Sequence, residues 1–309
     1  MKYRTLGNTA LEVSILGYGA SSLGSVFGEI DESEGIRTVH QAVDLGINFI
    51  DVSPYYGLTK AEVVLGKAIQ DIQRDKIILS TKAGRYGEHD FDFSAKRIRK
   101  SIDESLTRLK TDYIDILHLH DIEFGSLDQI IHESIPTLME LKKTGKIRFY
   151  GISGLPLKVF QIVSSQIHID TVLSYCQYAL NNTSLLDIES ELSAKGIGII
   201  NASPLSMGLL SEQGPPDWHP ASEEIKSICH KAVQFCLENN EDIATLAIQF
   251  AVANDRIPTT LVGTANPHHI KRNIDCIKEP INDELLHKVL NILQPISNQI
   301  WPSGKLENN

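Results

Sequence analysis

Four side chains that can hold or transfer a proton stand at the carboxyl ends of predicted strands. They are Asp51 and Tyr56 in INFIDVSPYYG, Lys82 in KIILSTK and His120 in YIDILHLHD. A lysine that closes an apolar strand is costly to bury unless a carboxylate compensates its charge, and Asp51 is the natural partner. A carboxylate, a phenol, an amine and an imidazole on one rim form an acid–base site. We therefore expect an enzyme of carbonyl/alcohol redox chemistry.

His118 and His120 are two residues apart on one strand, so their side chains face the same way. His120 is nearer the strand end and is assigned to the chemistry, whereas His118 is expected one layer below as a hydrogen-bonded core residue. The same HxH pattern can bind zinc in barrel hydrolases. The later strand ends offer Ser153, Gln177 and Ser203, which are poor metal ligands. A metal-dependent hydrolase stays a remote alternative, and no metal site is predicted.

This chemistry needs strands that end on one side, and short apolar runs supply eight of them. The predicted strands are Ile15–Ala20, Ile47–Val52, Lys76–Lys82, Tyr113–His120, Ile147–Ser153, Thr171–Gln177, Gly196–Ser203 and Thr259–Gly263. Segments with helical spacing separate them, for example Gly35–Leu45 and Ala95–Leu109. Strands that are apolar on both faces, each followed by a helix, predict an α/β fold of the (β/α)8 TIM-barrel type rather than a doubly wound sheet.

The barrel should carry a small N-terminal addition. Residues Met1–Val13, with Gly7 and Asn8 at a turn, predict a β-hairpin that caps the bottom of the barrel. No linker or repeat beyond the βα unit is present, so residues 1–309 are expected to form a single domain. The expected helix caps and stops are Ser94, Ser126, Gly46, Gly145 and Gly196.

Composition narrows the classes of partner. The 309 residues are 42% hydrophobic and carry a formal net charge of −10, which leaves no basic patch for phosphate backbones. Nucleic acid and membrane are therefore poor partners, and a small neutral molecule fits better. The four cysteines show no CxxC or zinc spacing and the N-terminus is too polar for a signal peptide, which favours the cytoplasm. No apolar run approaches the ~18 residues that span a bilayer.

The motifs DVSPYYG, STK and DYIDILHLH resemble those of the aldo-keto reductase family, and the resemblance runs from LGNTALEVSILGYGA to LVGTANPHHIKRNI. It implies a (β/α)8 oxidoreductase that uses a nicotinamide cofactor and is a monomer or weak homo-oligomer. Position by position, it implies the catalytic tetrad Asp51, Tyr56, Lys82 and His120.

Longer loop strings, such as LHLHDIEFGSLDQI and ASPLSMGLLSEQGPPDWHPAS, resemble sugar-oxidising members of that family. They imply an NAD-dependent aldose 1-dehydrogenase that converts L-galactose to L-galactono-1,4-lactone. Other substrates remain open, namely L-fucose, L-gulose, another aldose or a pyridoxal-like aldehyde. A non-catalytic protein that binds the cofactor as a sensor or channel subunit is a further alternative.

The expected mechanism uses Tyr56 as the base that takes a proton from the anomeric hydroxyl. A free phenol has a pKa near ~10, so Lys82 is expected to lower that pKa while Asp51 holds the ammonium. His120 is expected to hydrogen-bond the substrate oxygen. Loops after four strands should line the substrate pocket, and the candidate contacts are Ser22, Tyr55, Asp121 and Trp218.

The resemblance also implies a set of cofactor-binding residues. They are Ala20, Asp51, Ser153, Gln177, Ser203, Leu205, Met207, Gly263, Thr264, His269, Arg272 and Asn273. Two positions depart from the family pattern, because Gly154 replaces an asparagine and Ala202 replaces an aromatic residue that stacks on the nicotinamide. No fixed cation stands at Gly263, Thr264 or Ala265 to pair with a 2′-phosphate, so NAD is expected over NADP, with Arg272 as the reservation.

Overall fold

A closed barrel of eight parallel strands forms the centre of the chain and confirms the predicted (β/α)8 fold. The computed structural model describes residues 1–309. The strands are β1 (Tyr3–Thr5), β2 (Glu12–Ser14), β3 (Leu16–Gly19), β4 (Phe49–Asp51), β5 (Ile78–Ala83), β6 (Ile114–Leu119), β7 (Ile147–Gly154), β8 (Thr171–Tyr175), β9 (Gly198–Ala202) and β10 (Thr259–Val262). Strands β3 to β10 follow one another around the barrel, and β10 pairs with β3.

A helix follows each barrel strand and covers its outer face. The helices are α1 (Glu32–Asp44), α2 (Lys60–Ala68), α3 (Ala95–Leu109), α4 (Leu127–Gln129), α5 (Ile135–Lys143), α6 (Leu157–Gln166), α7 (Leu185–Ala194), α8 (Glu223–Glu238), α9 (Ile243–Ala253), α10 (Pro267–Cys276) and α11 (Asp283–Leu293). A π-helical turn, Ile130–Ser134, joins α4 to α5. None of the helices is long and apolar enough to cross a membrane.

The observed helix ends can be compared with the predicted N-cap residues and glycine stops. Helix α3 has the predicted bounds because Ser94 Oγ accepts a hydrogen bond from the N–H of Arg97 at 3.3 Å. Ser126 occupies the predicted N-cap position of α4, where its carbonyl accepts from the N–H of Ile130, but its side chain makes no capping bond. The predicted glycine stops have positive φ after α1, α5 and α7, where an L side chain is strained: Gly46 (φ 98°), Gly145 (φ 77°) and Gly196 (φ 73°).

The N-terminal hairpin closes the bottom of the barrel, as predicted. Strands β1 and β2 pair antiparallel, with Tyr3 opposite Ser14. Leu6 and Val13 are fully buried, and they belong to one apolar cluster with inward residues of the barrel strands, including Phe49 and Ile116. The bottom is therefore a packed plug, which leaves the carboxyl ends of the strands as the open end.

The C-terminal segment after α11 crosses back to the open end and binds the loop that follows β6. Glu123 in this loop is fully buried, and its Oε1 accepts hydrogen bonds from Ser303 Oγ at 2.9 Å and from the N–H of Leu155 at 3.2 Å. The carbonyl of Glu123 accepts from Asn308 Nδ2 at 2.8 Å. Burial and the neighbouring Asp121 carboxylate raise the pKa of Glu123 to about 8.

The raised pKa of Glu123 predicts how stability changes with pH. Between its ordinary pKa of 4.5 and about 8, the folded state keeps a proton on Glu123 that the unfolded state releases. The free energy of unfolding should therefore fall as the pH rises through this range. Urea denaturation at pH 5 and pH 8 measures this change. Between the two pH values, the free energy of unfolding should fall by about 2–4 kcal/mol more in wild type than in Glu123→Gln. Equal losses in the two proteins would contradict the burial of an ionisable group here.

Candidate active site

The structure brings the four predicted proton-handling residues together at the open end of the barrel. Asp51 is the last residue of β4, and Lys82 lies in β5, next to last. His120 follows β6 directly, and its N–H donates to the carbonyl of Ala83 at 2.8 Å. Tyr56 is reached through a turn in which its N–H donates to the carbonyl of Ser53. Side chains far apart in sequence therefore share one rim.

Lys82 is the hub of this site. Its side chain is 1% exposed, and its Nζ donates to Asp51 Oδ2, to the carbonyl of Val52 at 3.0 Å and to Tyr56 OH at 3.3 Å. These three acceptors match the three protons of an ammonium. Burial alone would lower the pKa of Lys82, but the charge of Asp51 and the Tyr56 phenol more than offset it, so the pKa is raised. Lys82 is therefore a cation at neutral pH.

The Tyr56 hydroxyl has a higher pKa than the sequence predicts. Burial raises the pKa of Tyr56 above its ordinary value of 10, and the Lys82 ammonium opposes this shift without cancelling it. The expectation of a lowered pKa is wrong for the protein alone, because desolvation of the phenolate outweighs a cation 3.3 Å away. Tyr56 therefore carries its proton at neutral pH.

His120 lies beside Tyr56 and is neutral. The two rings meet edge to face with centroids 5.8 Å apart, and His120 Nδ1 is 2.9 Å from Ser53 Oγ. Burial, followed by the charges of Lys82 and Arg85, holds the pKa of His120 well below its usual 6.5. A neutral imidazole keeps one N–H and one acceptor, so it can hydrogen-bond a hydroxyl or a carbonyl oxygen at Nε2.

His118 sits one layer deeper, where the sequence placed it. Ser80 Oγ donates its one proton to Asp51 Oδ1 at 2.8 Å, so at 3.2 Å it must accept a proton from His118 Nδ1. His118 Nε2 then accepts from Thr171 Oγ1 at 3.0 Å. Both ring nitrogens are satisfied inside the barrel, and His118 acts as a support for the Asp51 carboxylate rather than as a ligand.

Sequence reasoning missed three residues that shape the site, namely Ser53, Ser80 and Arg85. Ser53 and Ser80 stand two residues from Asp51 and Lys82, so the alternation of the strands could have indicated them. Arg85 follows Lys82 by three residues, and its guanidinium lies 3.8 Å from the centre of the Tyr55 ring. Its Nη1 donates to Asp121 Oδ2 at 2.6 Å, which adds an ion pair to the rim.

Comparison with known proteins assigns this geometry to a family. Residues 15–293 match the aldo/keto reductase family. The chain belongs to the aldo/keto reductase family. It is 51% identical to L-galactose dehydrogenase of Arabidopsis thaliana, over 100% of this chain and 99% of that protein. It is 37% identical to D-arabinose 1-dehydrogenase of Saccharomyces cerevisiae, over 72% of this chain and 71% of that enzyme.

A solved structure supports the same assignment of this aldo/keto reductase. An aldo-keto reductase from Bacillus halodurans in its holo form superposes with a TM-score of 0.78. That structure is 28% identical and covers 98% of each chain. The chain is thus an oxidoreductase that acts on CH–OH groups, and its family uses a nicotinamide cofactor. No three His, Cys, Asp or Glu side chains are grouped so that they could hold a metal ion.

Several of the residues predicted to hold the cofactor lie in the loop after β9 or near the end of β7 in this aldo/keto reductase. The loop after β9 has left-handed backbone at Ser203, Ser206 and Met207, and the N–H groups of Leu205 and Met207 are not used in its own hydrogen bonds. Such free amides suit a pyrophosphate. Ser153 Oγ lies 3.3 Å from the N–H of Asp121, beside the tetrad.

Beyond β10, a cleft of about 320 Å³ is lined by Gly263, Thr264 and His269. A Cβ at Gly263 would stand 2.9 Å from the carbonyl of Gly19, so the glycine keeps this end of the cleft open. The donor set and the cleft therefore fit an extended dinucleotide.

The remaining predicted cofactor residues are placed in different ways. Gln177 is at the end of β8, but Leu155 and Asn182 already bind its amide, so it keeps only one N–H and one lone pair for a ligand. Ala20 and Asn273 are buried at the edges of the cleft elements, in the turn after β3 and in α10. Arg272 Nη1 is 3.4 Å from Asp242 Oδ2, and burial, followed by the Arg272 charge, lowers the pKa of His269 in the cleft.

The four predicted substrate residues do not form one group. Tyr55 and Asp121 join the rim, where Tyr55 meets His120 edge to face at 5.9 Å. Ser22 instead lines the cleft with Gly263, so its position fits the cofactor residues better than the substrate pocket. Trp218 is 55% exposed on the loop before α8, and its ring lies 6.0 Å from that of Phe27.

The Lys82–Asp51 pair predicts a particular pattern of stability changes. Lys82→Met should lower the free energy of unfolding by about 3–5 kcal/mol, because it leaves a buried carboxylate without a cation. The double variant Asp51→Asn/Lys82→Met removes both charges and should regain much of that loss. Urea denaturation of the wild type, both single variants and the double variant measures the coupling. Additive losses would show that the two groups do not compensate each other.

Proposed function

We propose that the chain is an NAD-dependent aldose 1-dehydrogenase that oxidises L-galactose at C1 to its lactone. The observation that carries the proposal is the buried Lys82 ammonium in contact with the Tyr56 hydroxyl beside a neutral His120. The dehydrogenases of Arabidopsis thaliana and Saccharomyces cerevisiae named above support an aldose as the substrate class. L-Fucose, L-gulose and other aldoses are the alternatives within this class.

The chain's own residues supply proton transfer and orientation. When bound, the nicotinamide accepts the hydride that leaves the substrate carbon. Tyr56 takes the proton of the anomeric hydroxyl, and Lys82 stabilises the phenolate that does so. Asp51 fixes the ammonium within reach of the phenol and keeps it charged. Because the pKa of Tyr56 is raised by burial, the fraction of the base form grows with pH above neutrality.

His120 orients the hydroxyl that reacts. When Ser53 Oγ donates its proton to His120 Nδ1, the neutral ring carries its own proton on Nε2. That N–H can donate to the substrate oxygen as it changes from hydroxyl to carbonyl. The Tyr56 and His120 groups then hold one oxygen from two sides, which selects the face of the sugar carbon that reacts.

Charge in the cleft beyond β10 supports NAD as the cofactor. Besides Gly263 and His269, the cleft is lined by the acidic residues Glu29, Asp31 and Glu34, of which Glu34 also contacts Arg37 at 3.3 Å. Burial and the charges of Arg272 and His268 lower the pKa of His269, so it supplies no cation at neutral pH. A dianionic 2′-phosphate placed among carboxylates would be repelled, whereas a ribose hydroxyl can donate to one of them.

We also propose a cytoplasmic enzyme. Its four cysteines are all free thiols, which suits a reducing compartment. Cys176, Cys229 and Cys236 are buried, so they are protected from oxidation in the fold. The formal net charge of −10 further supports a monomer or weak homo-oligomer that needs no nucleic acid or membrane partner.

Replacement of the Tyr56 hydroxyl tests the proposed base. Tyr56→Phe should lower kcat for L-galactose oxidation at least about 1000-fold, because the acid–base group is lost, while the Kd for NAD changes little. In wild type, kcat should rise between pH 7 and pH 10 as Tyr56 loses its proton. Absorbance of the reduced cofactor and quenching of protein fluorescence measure the two quantities. A variant with activity within tenfold of wild type would remove Tyr56 from this role.

Cofactor selectivity tests the charge argument. With L-galactose as substrate, kcat/KM should be at least about tenfold higher with NAD than with NADP, because the carboxylates repel the additional phosphate. The double variant Glu29→Gln/Glu34→Gln should narrow this ratio several-fold. Glu279→Gln, an exposed change outside the cleft, serves as the matched control and should leave the ratio unchanged. A preference for NADP in wild type would overturn the assignment of NAD.

A further inference from the structure

A second ion pair lies at the mouth of the site, next to the tetrad but outside it. Arg85 Nη1 donates to Asp121 Oδ2 at 2.6 Å, and the same carboxylate oxygen is 3.7 Å from His120 Nε2. The pair is nearly buried, with side-chain exposures of 16% for Arg85 and 4% for Asp121. The Tyr55 ring stacks on the guanidinium at 3.8 Å and closes one side.

The pair leaves polar atoms free on both partners. Asp121 Oδ2 is used by Arg85, whereas Oδ1 accepts no hydrogen bond from the protein. On Arg85, Nη1 binds Asp121 and Nε binds the carbonyl of Gly87 weakly at 3.4 Å, which leaves Nη2 without a protein acceptor. One free acceptor and one free donor on the same ion pair are the complement of two neighbouring hydroxyl groups, one donating and the other accepting.

The backbone shows that Asp121 is held in this position. Asp121 has φ 53°, a left-handed conformation that is uncommon for residues other than glycine. Its N–H donates to Ser153 Oγ at 3.3 Å. A charged pair that served only for packing could be replaced by apolar side chains at no loss of stability. A left-handed residue that holds a desolvated carboxylate 3.7 Å from His120 Nε2 instead suits ligand recognition at the rim.

We propose that Arg85 and Asp121 determine substrate specificity by binding the vicinal hydroxyls next to the reacting carbon of a neutral sugar. The proposal rests on the proposed aldose 1-dehydrogenase activity and deepens it. The oxygen at C1 is assigned to Tyr56 and His120, so the carboxylate beside His120 meets the hydroxyl on C2, and Arg85 meets the next one. Because the two charges cancel, a sugar acid gains nothing here. An aromatic aldehyde would leave the free Asp121 Oδ1 and Arg85 Nη2 without hydrogen-bond partners, which is costly.

The first test measures kcat/KM of the wild-type enzyme with sugars that lack single hydroxyl groups. With NAD, kcat/KM should fall at least about 100-fold from L-galactose to 2-deoxy-L-galactose, which lacks only the C2 hydroxyl. L-Fucose, which lacks only the C6 hydroxyl of L-galactose, is the matched control and should stay within about tenfold of L-galactose. The C2 hydroxyl withdraws electrons from C1, so its loss alone would favour hydride departure and cannot explain a slower reaction.

Variants test it from the side of the protein. Asp121→Asn and Arg85→Met should each lower kcat/KM for L-galactose at least about 30-fold. Asp121→Asn should change kcat/KM for 2-deoxy-L-galactose by less than about threefold, and Arg85→Met should do the same for 3-deoxy-L-galactose, because each analogue lacks the hydroxyl that the replaced side chain binds. If the two residues had a purely structural role, each variant would lower kcat/KM equally for L-galactose and for the deoxy analogue. Asp128→Asn, an exposed change on α4, is the control and should alter neither. Circular dichroism and the Kd for NAD confirm that each variant is folded.

The outcomes separate this proposal from the one it rests on. If wild type oxidises no aldose with NAD, the proposed function fails and the specificity proposal fails with it. If wild type oxidises L-galactose and its 2-deoxy analogue equally well, the activity stands and the role of Arg85 and Asp121 is overturned. If either variant does not fold, the comparison of the two substrates with wild type still decides the matter.

Discussion

The contact between the buried Lys82 ammonium and the Asp51 carboxylate is the interaction on which the site depends. Neither charge could be buried alone, since desolvation costs more than a single hydrogen bond returns. Together they set a cation at a fixed point 3.3 Å from the Tyr56 hydroxyl. Supports converge on this pair from below, because Ser80 links the carboxylate to His118 inside the barrel. The barrel therefore fixes the position of Lys82, and the other residues of the site are arranged around this lysine.

Burial acts on the members of this group in opposite directions. It holds the pKa of His120 below neutrality and the pKa of Tyr56 above its ordinary value, so both groups are uncharged at rest. Lys82 stays charged only because a carboxylate faces it. An acid–base site built in this way holds a single mobile proton on a phenol, which can serve as the acid in one direction of reaction and, once deprotonated, as the base in the other.

The sequence predicted the barrel and its tetrad well because both follow from local patterns. Apolar runs located all eight strands within two residues of their observed ends, and the parallel register then brought Asp51, Lys82 and His120 to one rim. Predictions that needed loop conformation were less successful. Ser22 and Trp218 lie on loops whose path depends on tertiary contacts, and Arg85 was missed because nothing local shows that it meets Asp121.

The predicted lowering of the Tyr56 pKa was wrong for a similar reason. Proximity of the two residues in the fold could be inferred from strand order, whereas the balance between desolvation and Coulomb attraction depends on the depth of burial. Ser126 is at the predicted N-cap position, but neither its missing side-chain bond nor the π-helical turn after α4 follows from the local sequence. Neither the depth of burial nor the hydrogen bonding of a helical turn can be read from a short stretch of sequence.

The anchoring of the C-terminal segment has a practical consequence for handling the protein. Ser303 and Asn308 bind Glu123, and Glu123 is in the same loop as Asp121 and His120. A purification tag or surface linkage fused after Asn309 is therefore expected to disturb the loop that carries His120 and Asp121. The amino end lies at the opposite pole, where the hairpin plugs the barrel, and it is the safer point of attachment for immobilisation.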